Sequence, residues 1–186
     1  MAGTNGKQKT ARDMILSLAV IVLVGGVMWL FIPHDDDAEP DIKRVDYRVE
    51  LLTARRAASY PVAAPEGLPE AWKPTSVRFR GDDFDRWHLG YHAPDGEYVA
   101  VEQSTEKPSR FIDEASQGAR ETEVTQEIGG RTWVRYTGGR YDALVLKDTG
   151  GTGEADGEST ARATTVVAGT GSFGQLTKMA AALKME

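Results

Sequence analysis

The chain has 186 residues, no cysteine and a formal net charge of −6 at pH 7. That length suits one ordinary domain plus an apolar leader, and the missing thiols exclude disulfides, cysteine nucleophiles, thiolate-bound metals and lipid attachment to an N-terminal cysteine. Lys7, Lys9 and Arg12 against Asp13 leave +2 on residues 1–32 and so −8 on the rest; a domain that acidic repels phosphate backbones, which excludes nucleic acid as a partner.

Residues 1–13 read as a short basic tail. Residues 14–32, MILSLAVIVLVGGVMWLFI, carry no charge; as a helix they span about 28 Å, close to the ~30 Å hydrocarbon core of a bilayer. The basic flank on the N-terminal side predicts a cytoplasmic N-terminus and an external C-terminal domain. A cleaved signal peptide would have a shorter apolar core, ~7–15 residues, ending in small residues. Here Val27 to Ile32 and Pro33 are mostly bulky, so the expectation is an uncleaved signal anchor that crosses the plasma membrane once.

Residues 33–41 are an acidic, proline-bearing linker, and 42–186 form the external domain. Ile42, Val45, Val49 and Leu52 at helical spacing, with Asp41 as N-cap, predict a helix over 42–58 whose apolar stripe packs on the domain, a partner or the lipid surface. PVAAPEGLPEAWKP, with four prolines, reads as irregular. Alternation then predicts strands at 75–80, 85–92 and 97–103, the last two joined by the turn APDG as an antiparallel hairpin. Ser109 is expected to cap a helix over 109–117 that ends before Gly118.

Further strands are expected at 121–128, 131–136, 141–147 and 163–169, with the glycine- and acid-rich loop 148–160 breaking the series. The chain closes with a helix over 172–184, opened by a capping box of Ser172 and Gln175. The class is α+β: one N-terminal transmembrane helix, then a mainly antiparallel sheet packed with two or three helices on one face.

Several patterns invite a chemical reading. GTGSFG, Gly169 to Gly174, has dinucleotide-loop spacing between a strand and a helix. A dinucleotide site also needs a second strand and an acid about 20 positions on, and too little chain remains. His88 and His92 share a strand face but lie roughly 13 Å apart, too far to hold one metal ion. Asp82, Asp83 and Asp85, and the run Asp35 to Asp37, lack a calcium-loop pattern and read as a turn and a solvated linker. No serine has nucleophile-elbow context. Trp72, Trp87 and Trp133 read as core before groove. No catalytic, cofactor-binding or metal-binding residue is therefore assigned, and no cofactor is expected.

ARDMILSLAV, APEGLPEAWKPTSVRF, HLGYHAPDGEYVAVEQS and TTVVAGTGSFGQLTKMAAAL resemble, in that order, an actinobacterial family of single-pass membrane proteins known only as domain of unknown function 4245. The resemblance implies an envelope-anchored domain and an actinobacterial source, and brings no catalytic residues. More loosely, residues 65–184 are similar to small sensor-like extracytoplasmic domains. The expectation is a non-enzymatic binding, sensor-like or scaffold module with an envelope-protein or cell-wall partner. The alternatives are a cell-wall hydrolase or lyase using carboxylates on a sheet face, and a structural subunit docking through the juxtamembrane helix.

Overall fold

The computed structural model describes residues 5–31, 42–147 and 162–186. They divide into two units, Met1–Asp41 and Ile42–Glu186. The linker 33–41 with Asp35 to Asp37, His34 and the Asp41 cap, and the loop 148–160, lie outside the described residues.

The first unit is one helix, α1 (Asn5–Phe31). Its 27 residues reach about 40 Å at 1.5 Å per residue. Between Asp13 and Leu30 its mean hydropathy is 2.3, with none of that stretch buried inside the protein. Leu16, Ile21, Leu23 and Leu30 are all exposed. A helix apolar all round lacks the polar face that water requires. This one is long and apolar enough to cross a membrane.

The second unit runs α2 (Arg48–Ala57), β1 (Ala63–Pro65), β2 (Lys73–Arg80), β3 (Arg86–His92), β4 (Tyr98–Ser104), α3 (Pro108–Ser116), β5 (Arg120–Ile128), β6 (Arg131–Thr137), β7 (Asp142–Leu146), β8 (Thr164–Gly169), α4 (Phe173–Ala182) and β9 (Leu183–Met185). Seven strands form one sheet in the order β2-β3-β4-β8-β7-β6-β5, with every described neighbour antiparallel. Class α+β is what the alternation predicts.

Helices cover both faces, where the sequence suggests one. On the first face Trp87, Leu89, Tyr91, Val99, Val101, Leu144 and Val167 pack against Leu176 and Met179 of α4 and Ala54 of α2. On the second, Ala143, Val145, Val166 and Ala168 lie under Phe111, Ile112 and Ala115 of α3. This sandwiching explains why all six residues of β8 are buried, a pattern that period-two reading cannot resolve. Truncating a side chain such as Leu176, which is fully buried, to alanine costs about 2–5 kcal/mol.

Five local expectations are corrected. Residues 42–47 are not helical, because Val45 N–H bonds the Pro74 carbonyl along the sheet edge (2.9 Å) before α2 begins at Arg48. α3 starts at Pro108 after Lys107, not at a Ser109 cap; proline there forfeits only an N–H that a helix start leaves unbonded. Ser172 does precede α4 but makes no side-chain capping bond; the Gln175 N–H that it would cap bonds the Ser172 carbonyl instead (2.9 Å).

The last helix stops at Ala182, and β9 pairs antiparallel with β1, Ala64 opposite Lys184. The proline-rich segment is thus ordered. Trp87 Nε1 donates to the Ala63 carbonyl (2.9 Å) and Ala63 N–H to Gln103 Oε1 (2.6 Å). The fully buried Gln103 amide nitrogen donates in turn to Thr165 Oγ1 (3.0 Å) and the Pro61 carbonyl (3.3 Å).

Candidate functional site

α3 rests on β8 and β7, and the second face of the sheet continues past it onto β4, β3 and β2. There the period-two pattern points Glu102, His88 and Arg78 the same way. Register sets them directly opposite one another across three strands, Arg78 against His88 and His88 against Glu102, near enough for side chains to meet. The adjoining row is Ser76, Gly90, Ala100 and Ala168. Its small side chains leave a depression beside the long ones.

Two adjoining recesses of about 260 Å³ each share His88 and Glu102. One is bounded by Arg78, Arg80 and Arg86. The other runs under Tyr98 and Tyr141 to Glu114 and Gln117 at the edge of α3. Gly90 makes the floor possible: a Cβ there would stand 2.7 Å from the Tyr98 hydroxyl oxygen and nearer still to Ser76 Oγ. Its absence lets both hydroxyls converge on His88 Nε2, Ser76 at 3.0 Å and Tyr98 at 3.4 Å.

On the other side of the imidazole, Nδ1 faces Glu102 Oε1 at 3.4 Å. Glu102 also receives Arg86 Nη2 at 3.5 Å, and Arg86 Nη1 reaches Glu114 of α3 at 2.9 Å. Burial alone would lower the Arg86 pKa, but the bonds and fields of Glu114 and Glu102 outweigh it and hold it above its ordinary value. The bond from Arg86, then that from Arg110, keeps Glu114 below the usual carboxylate range. Burial, reinforced by Glu102 and Tyr141 against a bond from Ser76, pushes the Tyr98 hydroxyl up to about 12, so it stays protonated at neutral pH.

Two guanidinium groups keep capacity to spare. Arg80 reaches Asp83 at only 3.7 Å from a half-exposed position. The Arg78 side chain is exposed and, among the described residues, has no ion pair or hydrogen bond. Between Arg80 and Arg86 the turn is fixed. Phe84 has a left-handed backbone (φ 53°), and its carbonyl accepts Ser104 Oγ, Thr105 N–H and Thr105 Oγ1, each at 3.0 Å.

Ser76, His88 and Glu102 form a hydroxyl–imidazole–carboxylate line, the geometry by which a base activates a nucleophile. Here Glu102 is shared with Arg86 and Nε2 with a second hydroxyl, so the line equally forms a rigid polar cradle. An acid–base pair of carboxylates is disfavoured at this site. A general acid needs a raised pKa, and Arg86 and Arg110 lower that of Glu114. In a larger recess of about 480 Å³ on the far side of α3, Glu121 bonds both Tyr136 and Lys147.

The motifs singled out from sequence resolve elsewhere. His92 lies at the other end of β3, opposite Lys73 and Tyr98, and no metal-binding group of three His, Asp or Glu occurs among the described residues. Asp85 accepts the Ser59 N–H (3.1 Å) and hydroxyl (2.6 Å) in a structural turn. In GTGSFG, Gly169 lets β8 approach β4: a Cβ would sit 2.9 Å from Val99 Cα and inside the Tyr98 carbonyl. Trp72, Trp87 and Trp133 are core, as expected. Sequence reasoning missed Ser76, Arg78, Arg80, Arg86, Tyr98 and Glu102 as a set; the signal was the run of charges on one side of three neighbouring strands.

Fold and site together define a class of protein: an α+β domain with a two-faced antiparallel sheet and an open polar half, preceded by a helix of membrane-crossing length. The chain belongs to the family described as Protein of unknown function (DUF4245), whose model matches residues 7–183. No curated protein and no solved structure matches it.

Proposed function

We propose that the chain is a single-pass protein of the plasma membrane, N-terminus in the cytoplasm, whose external domain is a non-enzymatic binding module of the cell envelope. Its site is the recess around His88 and Glu102, and its ligand is a carboxylate or phosphate group carried by an envelope protein or cell-wall component. The observation that carries this is Arg78, an uncommitted guanidinium beside a pre-formed hydroxyl–imidazole cradle on a chain of net charge −6. An acidic protein that places two spare arginines on one sheet face recognises an anion there, because the planar fork matches both oxyanions.

A photo-crosslinking residue at Gln117, on the rim of the recess, tests this in living cells. The expected result is capture of an envelope component, identified by mass spectrometry and lost with Arg78→Glu. Capture unchanged by that substitution, or no capture, overturns it. The second reading is a hydrolase, favoured by the Ser76–His88–Glu102 line. It predicts ester turnover by the full chain that Ser76→Ala abolishes.

A further inference from the structure

α2 presents an outward face that the domain does not use. Its inward side is well occupied. Leu51 and Ala54 join the first core, Glu50 Oε1 accepts the Phe79 N–H at 3.2 Å, and Arg55 pairs with Glu186 at 3.0 Å. The outward side holds Arg48, Val49, Leu52, Thr53 and Arg56, all exposed, in a strip about 140° wide at 100° per residue. Val49 is 73% and Leu52 53% exposed. The sequence places these two on the packing stripe; the structure turns them to solvent, because Glu50 must face the edge of β2. The helix's single acid is thereby removed from the outward strip, which keeps two arginines and two aliphatic side chains.

We propose that this strip of α2 rests on an anionic lipid surface. Val49 and Leu52 enter the boundary between headgroups and acyl chains, while Arg48 and Arg56 lay their stems on the surface and meet the headgroup phosphates. Three arguments favour lipid over a protein occupant. The strip carries two guanidinium groups and no acid, so its charge complements an anionic surface. Two aliphatic side chains are far short of the ~800 Å² per partner that a stable protein interface needs. And α2 follows the apolar helix by only sixteen residues of chain, 32–47, so tethering supplies a high local concentration and a weak contact suffices.

The inference rests on the membrane-anchored reading above, and the test separates the two. Because the chain has no cysteine, single labels are unambiguous. Val22→Cys, Val49→Cys, Leu52→Cys and Val124→Cys are each spin-labelled in the full chain, which is reconstituted in vesicles with and without phosphatidylglycerol. Collision with dissolved oxygen, which partitions into lipid, is compared with collision with a nickel chelate confined to water. Val22 should read as lipid and Val124 as water. Positions 49 and 52 should read as lipid interface in the anionic vesicles and return to water at high salt. Arg48→Gln with Arg56→Gln should lower the immersed-to-aqueous ratio on the order of fivefold for each arginine.

Positions 49 and 52 as aqueous as 124, with Val22 in lipid, overturn the α2 contact and leave the anchor standing. Shielding from both reagents means a protein covers the strip, and also overturns it. Equal immersion in neutral vesicles overturns the role given to the arginines. A Val22 label in water overturns the anchor and this contact with it.

Discussion

Two glycines on neighbouring rows of the sheet should respond very differently to a single added methyl. Gly169 ends β8 opposite Val99 of β4 and Asp142 of β7, so it is hemmed in by strands on both sides. An alanine Cβ there would stand 2.8 Å from the Tyr98 carbonyl carbon and 2.9 Å from Val99 Cα. Both are backbone atoms of a central strand and cannot rotate away. Relief requires β4 and β8 to part where Tyr98 accepts the Thr170 N–H (2.9 Å) and Gly171 N–H (3.3 Å) and donates to Thr170 Oγ1 (3.0 Å). Three bonds at about 0.5–1.5 kcal/mol each, with about 1–3 kcal/mol for overpacking, give a loss of about 2.5–7.5 kcal/mol for Gly169→Ala.

Gly90→Ala meets side-chain atoms instead, the Ser76 hydroxyl and the Tyr98 ring. Ser76 can change rotamer and the end of the Tyr98 side chain must shift, so the cost is about 1–3 kcal/mol. Both hydroxyls then leave His88 Nε2. Urea unfolding of the two variants, compared at unchanged slope, checks the ordering. Gly90→Ala should keep the fold and lose the crosslink from Gln117. Equal destabilisation by the two, or a neutral Gly169→Ala, would refute the distinction between backbone and side-chain crowding.

Gln103→Leu keeps the volume but strips the bonds to the Ala63 N–H and the Pro61 carbonyl; the expected loss is about 2–5 kcal/mol, with faster amide exchange at Ala63, and unchanged exchange there would refute the tie. Glu114 has a folded pKa below its ordinary value, so its contribution to stability is fully present above the ordinary carboxylate range and fades as pH falls through the lowered folded value. Arg86→Gln should move the Glu114 titration, followed by carboxyl NMR, back toward that range; an unmoved titration would show that Arg86 does not hold it. Replacing Lys7, Lys9 and Arg12 by glutamate should reduce labelling of Val124→Cys by a membrane-impermeant maleimide in intact cells, and undiminished labelling would remove the basic tail as the cause of orientation.

Where side chains alternate against one buried face, the sequence was readable. Trp87, Leu89 and Tyr91 announce β3, and the turn after it closes with the Gly96 N–H on the Ala93 carbonyl (3.0 Å), as APDG suggests. β1 and β9 were not readable. They are three residues long, one contains proline, and β1 is held by Trp87 and Gln103 from 24 and 40 positions away. What the apolar stripe of α2 faces was left open for a similar reason. Apolar spacing alone chooses Val49 and Leu52, but an edge-strand N–H recruits Glu50 and rotates the helix by its own demand. The site was hidden most deeply, because Ser76, His88 and Glu102 meet only in one register, and a slip of one residue would turn each to the other face.

The second face of the sheet passes from dry core to polar recess within one strand spacing, about 4.8 Å, between β8 and β4. α3 can close over Ala143, Ala168 and Val166 because they are small or apolar. It cannot close over Glu102, Arg86 and Arg78 without desolvating charge. Its margin is marked by Glu114, which accepts Arg86 from the open half and so fastens the helix edge to the recess. Arg78 stands beyond that fastening and touches none of it. Its replacement should therefore leave stability within about 0.5 kcal/mol, as for other exposed positions, and any binding lost with it is lost at the site, not through the fold.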